Sequence, residues 1–138
     1  MIEPRSSTRR AEPVETVACL GSSTTASKGT HKWIAELQKR PNNRRFRFVN
    51  LGVGGDFSFN VIGRLDRAIS VRPDRVMILI GTNDIWASVF PKFARLMRVW
   101  KRLPDEPSPA RFADSLELIS SISRAVSSES KCIPRRGI

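Results

Sequence analysis

The 138-residue sequence contains only two cysteines and has no long apolar run. Two cysteines do not form a disulfide framework, and Cys19 lies within a short apolar run, where a free cysteine usually packs as a small hydrophobic side chain. We therefore expect a reducing compartment. The first ten residues lack the apolar core of a secretory signal peptide, and no segment approaches the ~20 apolar residues of a membrane span. The sequence thus predicts a cytoplasmic protein without a membrane span.

Acidic residues are also scarce: the sequence has 13 of them against 24 lysines and arginines, which gives a net charge of +11. Such a charge favours contact with anionic surfaces or nucleic acid, but it governs association and not the fold. The densest basic group, at residues 44–47, comes just before an apolar run, and no nucleic-acid-binding motif accompanies it. We favour a solvated basic face and expect nucleic acid to be an unlikely partner. Salt-dependent binding to duplex DNA would favour the alternative, a basic nucleic-acid-associated protein.

The length and the 40% content of hydrophobic residues fit one globular domain. We predict a flexible lead-in at residues 1–13, a domain at 14–126 and a polar tail at 127–138. Three apolar runs predict strands at 14–20, 46–51 and 75–80. The third run is apolar on both faces, which predicts a central parallel strand.

In the segments that follow the predicted strands, apolar residues recur at helical spacing, which predicts amphipathic helices. The predicted helices lie at 32–40, at about 58–70, around 93–100 and from Ser108-Pro109 to about 126. Alternating strands and helices indicate an α/β fold, in which helices cover both faces of a parallel sheet.

Each predicted strand ends in a turn rich in glycine, serine or asparagine. These turns are Gly21-Ser22-Ser23, Asn50-Leu51-Gly52-Val53-Gly54-Gly55 and Gly81-Thr82-Asn83-Asp84. Because parallel strands end at one edge of the sheet, a serine hydroxyl, a glycine N–H and an asparagine amide are expected to converge there. These are the parts of a nucleophile with an oxyanion hole.

The glycine-rich second turn has an alternative interpretation as a phosphate-binding turn before a helix. It does not match the dinucleotide-binding fingerprint, because the third glycine would fall at position 57, which is Phe57. The first turn, taken alone, is also compatible with an ordinary loop.

Taken in order, the three turns resemble the first three sequence blocks of the SGNH hydrolases, also called the GDSL esterase/lipase family. The resemblance covers residues from about 14 to about 126. It implies a flavodoxin-like three-layer α/β sandwich that hydrolyses small acyl or acetyl esters without a metal or cofactor. Ser23 would be the nucleophile, and the oxyanion would be held by the backbone N–H groups of Ser23 and Gly55 and by the side-chain amide of Asn83. Alternatively, Asn83 and Asp84 brace the loop after the third strand.

The sequence departs from the family pattern at two points. Ser22 replaces the usual aspartate before the nucleophile, where we expect that residue to brace the turn. The late Asp-x-x-His motif that supplies the base is absent, and the only histidine, His31, is predicted to face solvent at the start of a helix. We therefore expect a C-terminally truncated member of the family, with its last strands missing and with weak or no esterase activity.

Two further expectations follow from this incomplete pattern. A catalytically silent binding or interaction module with the same cleft is the alternative to an enzyme. In either case the third strand or its neighbour would form an exposed apolar edge, through which chains could self-associate.

Overall fold

The structure is a computed structural model that describes residues 13–29 and 31–132. The strands are β1 (Glu15–Gly21), β2 (Phe46–Gly52) and β3 (Arg75–Leu79). The helices are α1 (Ser23–Ala26), α2 (Trp33–Lys39), α3 (Ser58–Ile62), α4 (Leu65–Ser70), α5 (Thr82–Val89), α6 (Pro91–Trp100) and α7 (Pro109–Cys132), and a short 3-10 turn lies at Pro41–Asn43. Residues 1–12 of the predicted lead-in and 133–138 of the predicted tail lie outside the described residues.

The three strands form one parallel sheet in the order β2-β1-β3. In this register Gly21, at the end of β1, lies opposite Gly52 of β2 and Leu79 of β3. This arrangement confirms the predicted α/β class and the parallel sheet.

Helices cover both faces of the central strand β1. On one face Ala18 and Leu20 pack with Val61, Leu65 and Ile119, which belong to α3, α4 and α7. On the other face Val17 and Cys19 pack with Ile34 of α2. Cys19 is fully buried, and burial raises the pKa of its thiol to about 11, so it packs as the predicted small hydrophobic side chain.

The apolar run of the third strand by itself indicated a central strand, but β3 lies at an edge of the described sheet, which agrees with the exposed edge expected at the third strand or its neighbour. β1 holds the central position, whereas β3 pairs with β1 alone among the described residues. Met77 and Leu79 lie on a face of β3 that is largely exposed, and the Leu79 side chain retains 48% of its accessibility. An apolar run identifies a strand that can be buried, but it does not determine which neighbours cover it.

Three predicted helix boundaries also change. The helix predicted at 58–70 is divided into α3 and α4 at Gly63-Arg64, where glycine has low helix propensity. Residues 82–84, predicted as a turn, form the first turn of α5, which precedes the separate helix α6. Helix α7 begins at the predicted Pro109 and continues to Cys132, six residues beyond the predicted end. None of the described helices is long and apolar enough to cross a membrane.

Candidate active site

The three glycine-containing turns lie along one edge of the sheet. Because β1 lies between β2 and β3, the segment that carries Ser23 lies between the loop that carries Gly55 and the helix that carries Asn83. β1 is flanked by β2 on one side and by β3 on the other, and open parallel sheets form ligand-binding crevices outside the carboxyl ends of such neighbouring strands.

Ser23 is the first residue of α1 and is exposed, whereas Ser22 before it is buried. A helix of four residues has little stability of its own, so its position must depend on contacts from elsewhere. The indole N–H of Trp33 donates to the carbonyl of Thr24 at 3.0 Å, and the side-chain amide of Asn50 donates to the carbonyl of Thr25 at 2.8 Å. These contacts fix the direction in which α1 presents Ser23.

Two glycines allow α1 to approach the sheet closely. A Cβ atom at Gly52 would lie 2.3 Å from the backbone N of Ala26, and one at Gly21 would lie 2.4 Å from the carbonyl oxygen of Leu79. Both positions lack room for a side chain, because Gly52 faces the backbone of α1, and a Cβ atom at Gly21 would meet Thr25 Oγ1 of α1 at 2.2 Å as well as the backbone of β3. Packing therefore requires glycine at positions 21 and 52, whether or not these turns take part in catalysis.

Gly55 adopts a φ of 75°, which lies in the left-handed region that favours glycine. A Cβ atom there would lie 2.8 Å from Cζ3 of Trp100, so this tight turn is also packed against α6. The turn passes directly into Asp56, whose side chain is the centre of a buried ion cluster.

Asp56 and two basic side chains connect the ends of β1 and β2 with the glycine turn, and we call Asp56, Arg64 and Lys101 the Asp56 clamp. Arg64 donates to the Asp56 carboxylate through Nε at 2.9 Å and through Nη2 at 2.5 Å, and Lys101 Nζ lies 3.0 Å from Oδ1. Arg64 also donates to the carbonyl of Leu51 at 2.6 Å and more weakly to that of Gly21 at 3.4 Å. Lys101 also donates to the carbonyl of Gly54 at 2.6 Å. The clamp therefore fixes the ends of β1 and β2 and the glycine turn as one unit.

Asn83 lies in the first turn of α5 and is joined to the same unit. Its side-chain Nδ2 donates to the backbone carbonyl of Asp56 at 2.9 Å. An amide nitrogen carries two hydrogens, and the second makes no hydrogen bond with the described residues. This bond brings Asn83 next to the residue that follows Gly55. Two of the three predicted oxyanion donors, Gly55 and Asn83, therefore belong to adjoining segments.

Asp84 has the bracing role that was the alternative for this turn. Its buried carboxylate accepts hydrogen bonds from the Ser58 hydroxyl at 2.7 Å and from the Ser58 backbone N–H at 3.1 Å. Burial raises the pKa of Asp84, and the Ser58 hydrogen bonds oppose that shift. Asp84 therefore satisfies a free N–H at the start of α3 and connects α5 to it.

His31 precedes α2, is exposed, and accepts a hydrogen bond from the Trp33 N–H through its backbone carbonyl. Its position agrees with the predicted solvent-facing residue. Within the part of the chain that the structure describes, no group of three or more histidine, cysteine or acidic side chains could hold a metal ion.

The sequence predicted Ser23, Gly55 and Asn83 as site residues, which stays a prediction, and it did not predict the Asp56 clamp. Its three members are separated by up to 45 positions and form no local pattern. The only available signal was an acidic residue directly after the glycine turn.

Comparison with known proteins adds a family match. The sequence model of the family described as "GDSL-like Lipase/Acylhydrolase family" matches residues 19–127. A search of curated protein sequences finds no match.

Solved structures show the same fold at low sequence identity. They include an acetylxylan esterase from Geobacillus stearothermophilus, with 18% identity, a TM-score of 0.63 and coverage of 83% of this chain and 56% of the other. An alpha/beta hydrolase from the metagenome of Lake Arreo has 20% identity, a TM-score of 0.61 and coverage of 83% and 57%. The psychrotrophic esterase EstA from Pseudoalteromonas has 22% identity, a TM-score of 0.57 and coverage of 82% and 55%. The chain thus spans just over half the length of these structures.

Proposed function

The chain belongs to the GDSL-like lipase/acylhydrolase family, and from this premise we propose that it is an ester hydrolase whose nucleophile is Ser23. The observation that carries the proposal is the alignment of strand ends, which puts exposed Ser23 between the segments that contain Gly55 and Asn83. Small acyl or acetyl esters are the proposed substrates, supported by an acetylxylan esterase among the structural neighbours.

In the proposed reaction the Ser23 hydroxyl oxygen attacks the ester carbonyl carbon, and the carbonyl oxygen takes up the negative charge. The N–H groups of Ser23 and Gly55 and the free amide hydrogen of Asn83 would stabilise that charge. The Ser23 hydroxyl proton passes to a base as the new C–O bond forms. When the tetrahedral intermediate collapses, the bond to the alcohol oxygen breaks, that oxygen takes the proton from the base, and an acyl-serine remains for water to hydrolyse. Fixed donors favour the transition state because the oxygen carries more charge there than in the ester.

The 138 residues contain no Asp-x-x-His motif, and His31 is their only histidine. A serine hydroxyl needs a base to accept its proton, so we propose that the chain by itself has weak activity or none. The same observation favours the alternative function, a non-catalytic module that binds esters in this cleft.

A soluble base should restore part of the missing chemistry. We expect imidazole to accelerate acetylation of Ser23 by p-nitrophenyl acetate, because imidazole can take the serine proton while the oxyanion donors remain in place. Mass spectrometry of the protein after brief exposure would locate the acetyl group. Ser23→Ala should abolish this labelling, and Ser70→Ala, which removes a hydroxyl from the distant helix α4, should not.

Equal labelling of the wild-type chain and Ser23→Ala would contradict Ser23 as the nucleophile. Saturable binding of a short-chain ester without acylation would instead support the non-catalytic module.

We also propose that chains self-associate through the edge of β3 that pairs with no strand in the described part of the chain. An unpaired strand edge presents N–H and C=O groups to a second strand, and exposed Met77 and Leu79 would be covered in such a pair. Analytical ultracentrifugation should show mass increasing with protein concentration. Leu79→Lys should shift the equilibrium toward the monomer, whereas Ile69→Lys, at an equally exposed site on α4, should leave it unchanged. A purely monomeric wild-type chain at all concentrations would contradict the proposal.

A cytoplasmic location is proposed on the basis of cysteine use. The Cys19 thiol is buried and unpaired, which is typical of proteins in a reducing compartment.

A further inference from the structure

Large exposed apolar side chains are concentrated on α5, α6 and the residue between them. Seven of the fourteen such side chains in the described structure lie between positions 85 and 100. They are Ile85, Trp86, Val89, Phe90, Leu96, Val99 and Trp100. Scattered exposed apolar residues are ordinary, but a contiguous group on neighbouring helices marks an interaction site.

Three of the five exposed residues of α5 are large and apolar, and the exposed polar ones, Thr82 and Ser88, are small and uncharged. Ala87 is buried on its inner side, while Ile85 and Val89, one turn apart, are 61% and 63% exposed. Trp86 stacks on Phe90 with their ring centroids 4.9 Å apart, so the aromatic pair forms a continuous surface beside them.

Helix α6 combines exposed apolar residues with basic ones. Ala94 and Met97 are buried in the same cluster as Ala87, so the outward sides of both helices are opposite one shared core. Leu96, Val99 and Trp100 are neighbours on the outward side of α6, and Val99 is 79% exposed. The outward side also carries the exposed cations Lys92, Arg95 and Arg98.

The charge of this region has one sign. Residues 85–102 include five basic side chains and no acidic one. Lys101 belongs to the Asp56 clamp, so four of the five cations, Lys92, Arg95, Arg98 and Arg102, remain exposed.

We propose that the outward side of α5 and α6 binds the surface of an anionic lipid bilayer. Helices that lie in a bilayer interface insert aliphatic and aromatic side chains among the acyl chains and hold basic side chains at the level of the anionic headgroups. Nucleic acid would use the cations and the aromatic rings, but it would leave aliphatic Ile85, Val89 and Leu96 in water. A lipid surface engages both sets of side chains.

The bound orientation would set the candidate active site beside the lipid surface. Asn83 is in the first turn of α5, and Trp100 packs where a Gly55 side chain would lie. Binding to lipid does not depend on catalysis, so it can be tested separately from ester hydrolysis.

Vesicle flotation provides the test. We expect the chain to float with vesicles made of phosphatidylcholine and phosphatidylglycerol in equal parts, and to bind vesicles of phosphatidylcholine alone much more weakly. Ile85→Ser should weaken binding about tenfold, and Ile69→Ser, on exposed α4, should not. Arg95→Glu should weaken it by at least about tenfold, and Arg40→Glu, with the same change in net charge, should have a smaller effect.

Three outcomes would overturn the proposal. The first is the absence of binding to the anionic vesicles. The second is binding that Ile85→Ser does not change and that Arg95→Glu and Arg40→Glu weaken equally, because net charge alone would then explain it. The third is salt-dependent binding to duplex DNA that Arg95→Glu abolishes, observed together with no binding to the vesicles. Circular dichroism of each variant would verify that the fold is retained.

Discussion

Arg64→Ala is expected to lower the free energy of unfolding by about 3 kcal/mol. The Asp56 carboxylate is only 5% exposed, and the substitution leaves it with Lys101 as its single cationic partner. The carbonyls of Leu51 and Gly21 lose a donor at the same time. Removing one member of a buried ion pair is costly because the remaining charge stays desolvated. Urea denaturation followed by circular dichroism would measure the change.

Two further variants make this expectation specific. Arg67→Ala removes an exposed arginine three residues away on α4, and it should change the free energy of unfolding by no more than about 0.5 kcal/mol. Arg64→Lys keeps the charge but not the planar fork that reaches both the carboxylate and the carbonyls, so its effect should be intermediate. If Arg64→Ala were no more destabilising than Arg67→Ala, the clamp would not hold the strand ends.

Asn83→Ala is expected to slow the imidazole-supported acylation of Ser23 by about 100- to 1,000-fold. This range is the usual cost of losing one oxyanion donor. The variant also loses the hydrogen bond to the Asp56 carbonyl, which should cost only about 1 kcal/mol of stability. Acylation rates and urea denaturation measured on one preparation would separate the two effects.

Asn43→Ala is the matched control for this experiment. Asn43 also donates its side-chain amide to a backbone carbonyl, that of Leu37 at 2.8 Å, but it follows α2 and lies outside the site region. Its loss should reduce stability by a similar amount and leave acylation unchanged. If Asn83→Ala unfolded the chain, or if both variants kept the wild-type acylation rate, Asn83 would be a structural residue.

The sequence predicted the parts of the fold that depend on local pattern. Apolar runs identified all three strands to within one or two residues, and Pro109 identified the start of α7. Both signals come from neighbouring residues, the first from the hydrophobic pattern and the second from the fixed backbone angle of proline. The glycine-rich strand ends likewise identified the edge of the sheet at which Ser23, Gly55 and Asn83 lie. The roles of these three residues remain predictions.

Features that depend on distant partners could not be predicted in this way. The run at 75–80 is apolar on both faces, which by itself indicates a central strand; the edge position of β3 was expected only because the family's last strands are missing, and strand pairing shows which strand forms that edge. Arg64 lies within the helix predicted at 58–70, and the helical pattern does not indicate that its guanidinium reaches Asp56 and the end of β2. Such contacts are fixed by the tertiary fold, which joins residues that no short window contains.

The dependence of α1 on remote contacts has a consequence for the order of folding. Four residues do not form a stable helix alone, and those of α1 are held by Trp33, by Asn50 and by the close approach of Gly52. During synthesis, the turn that carries Ser23 therefore emerges long before it can take its final shape. We expect it to acquire that shape only after β2 has been made and has docked beside β1, because Asn50 and Gly52 belong to β2.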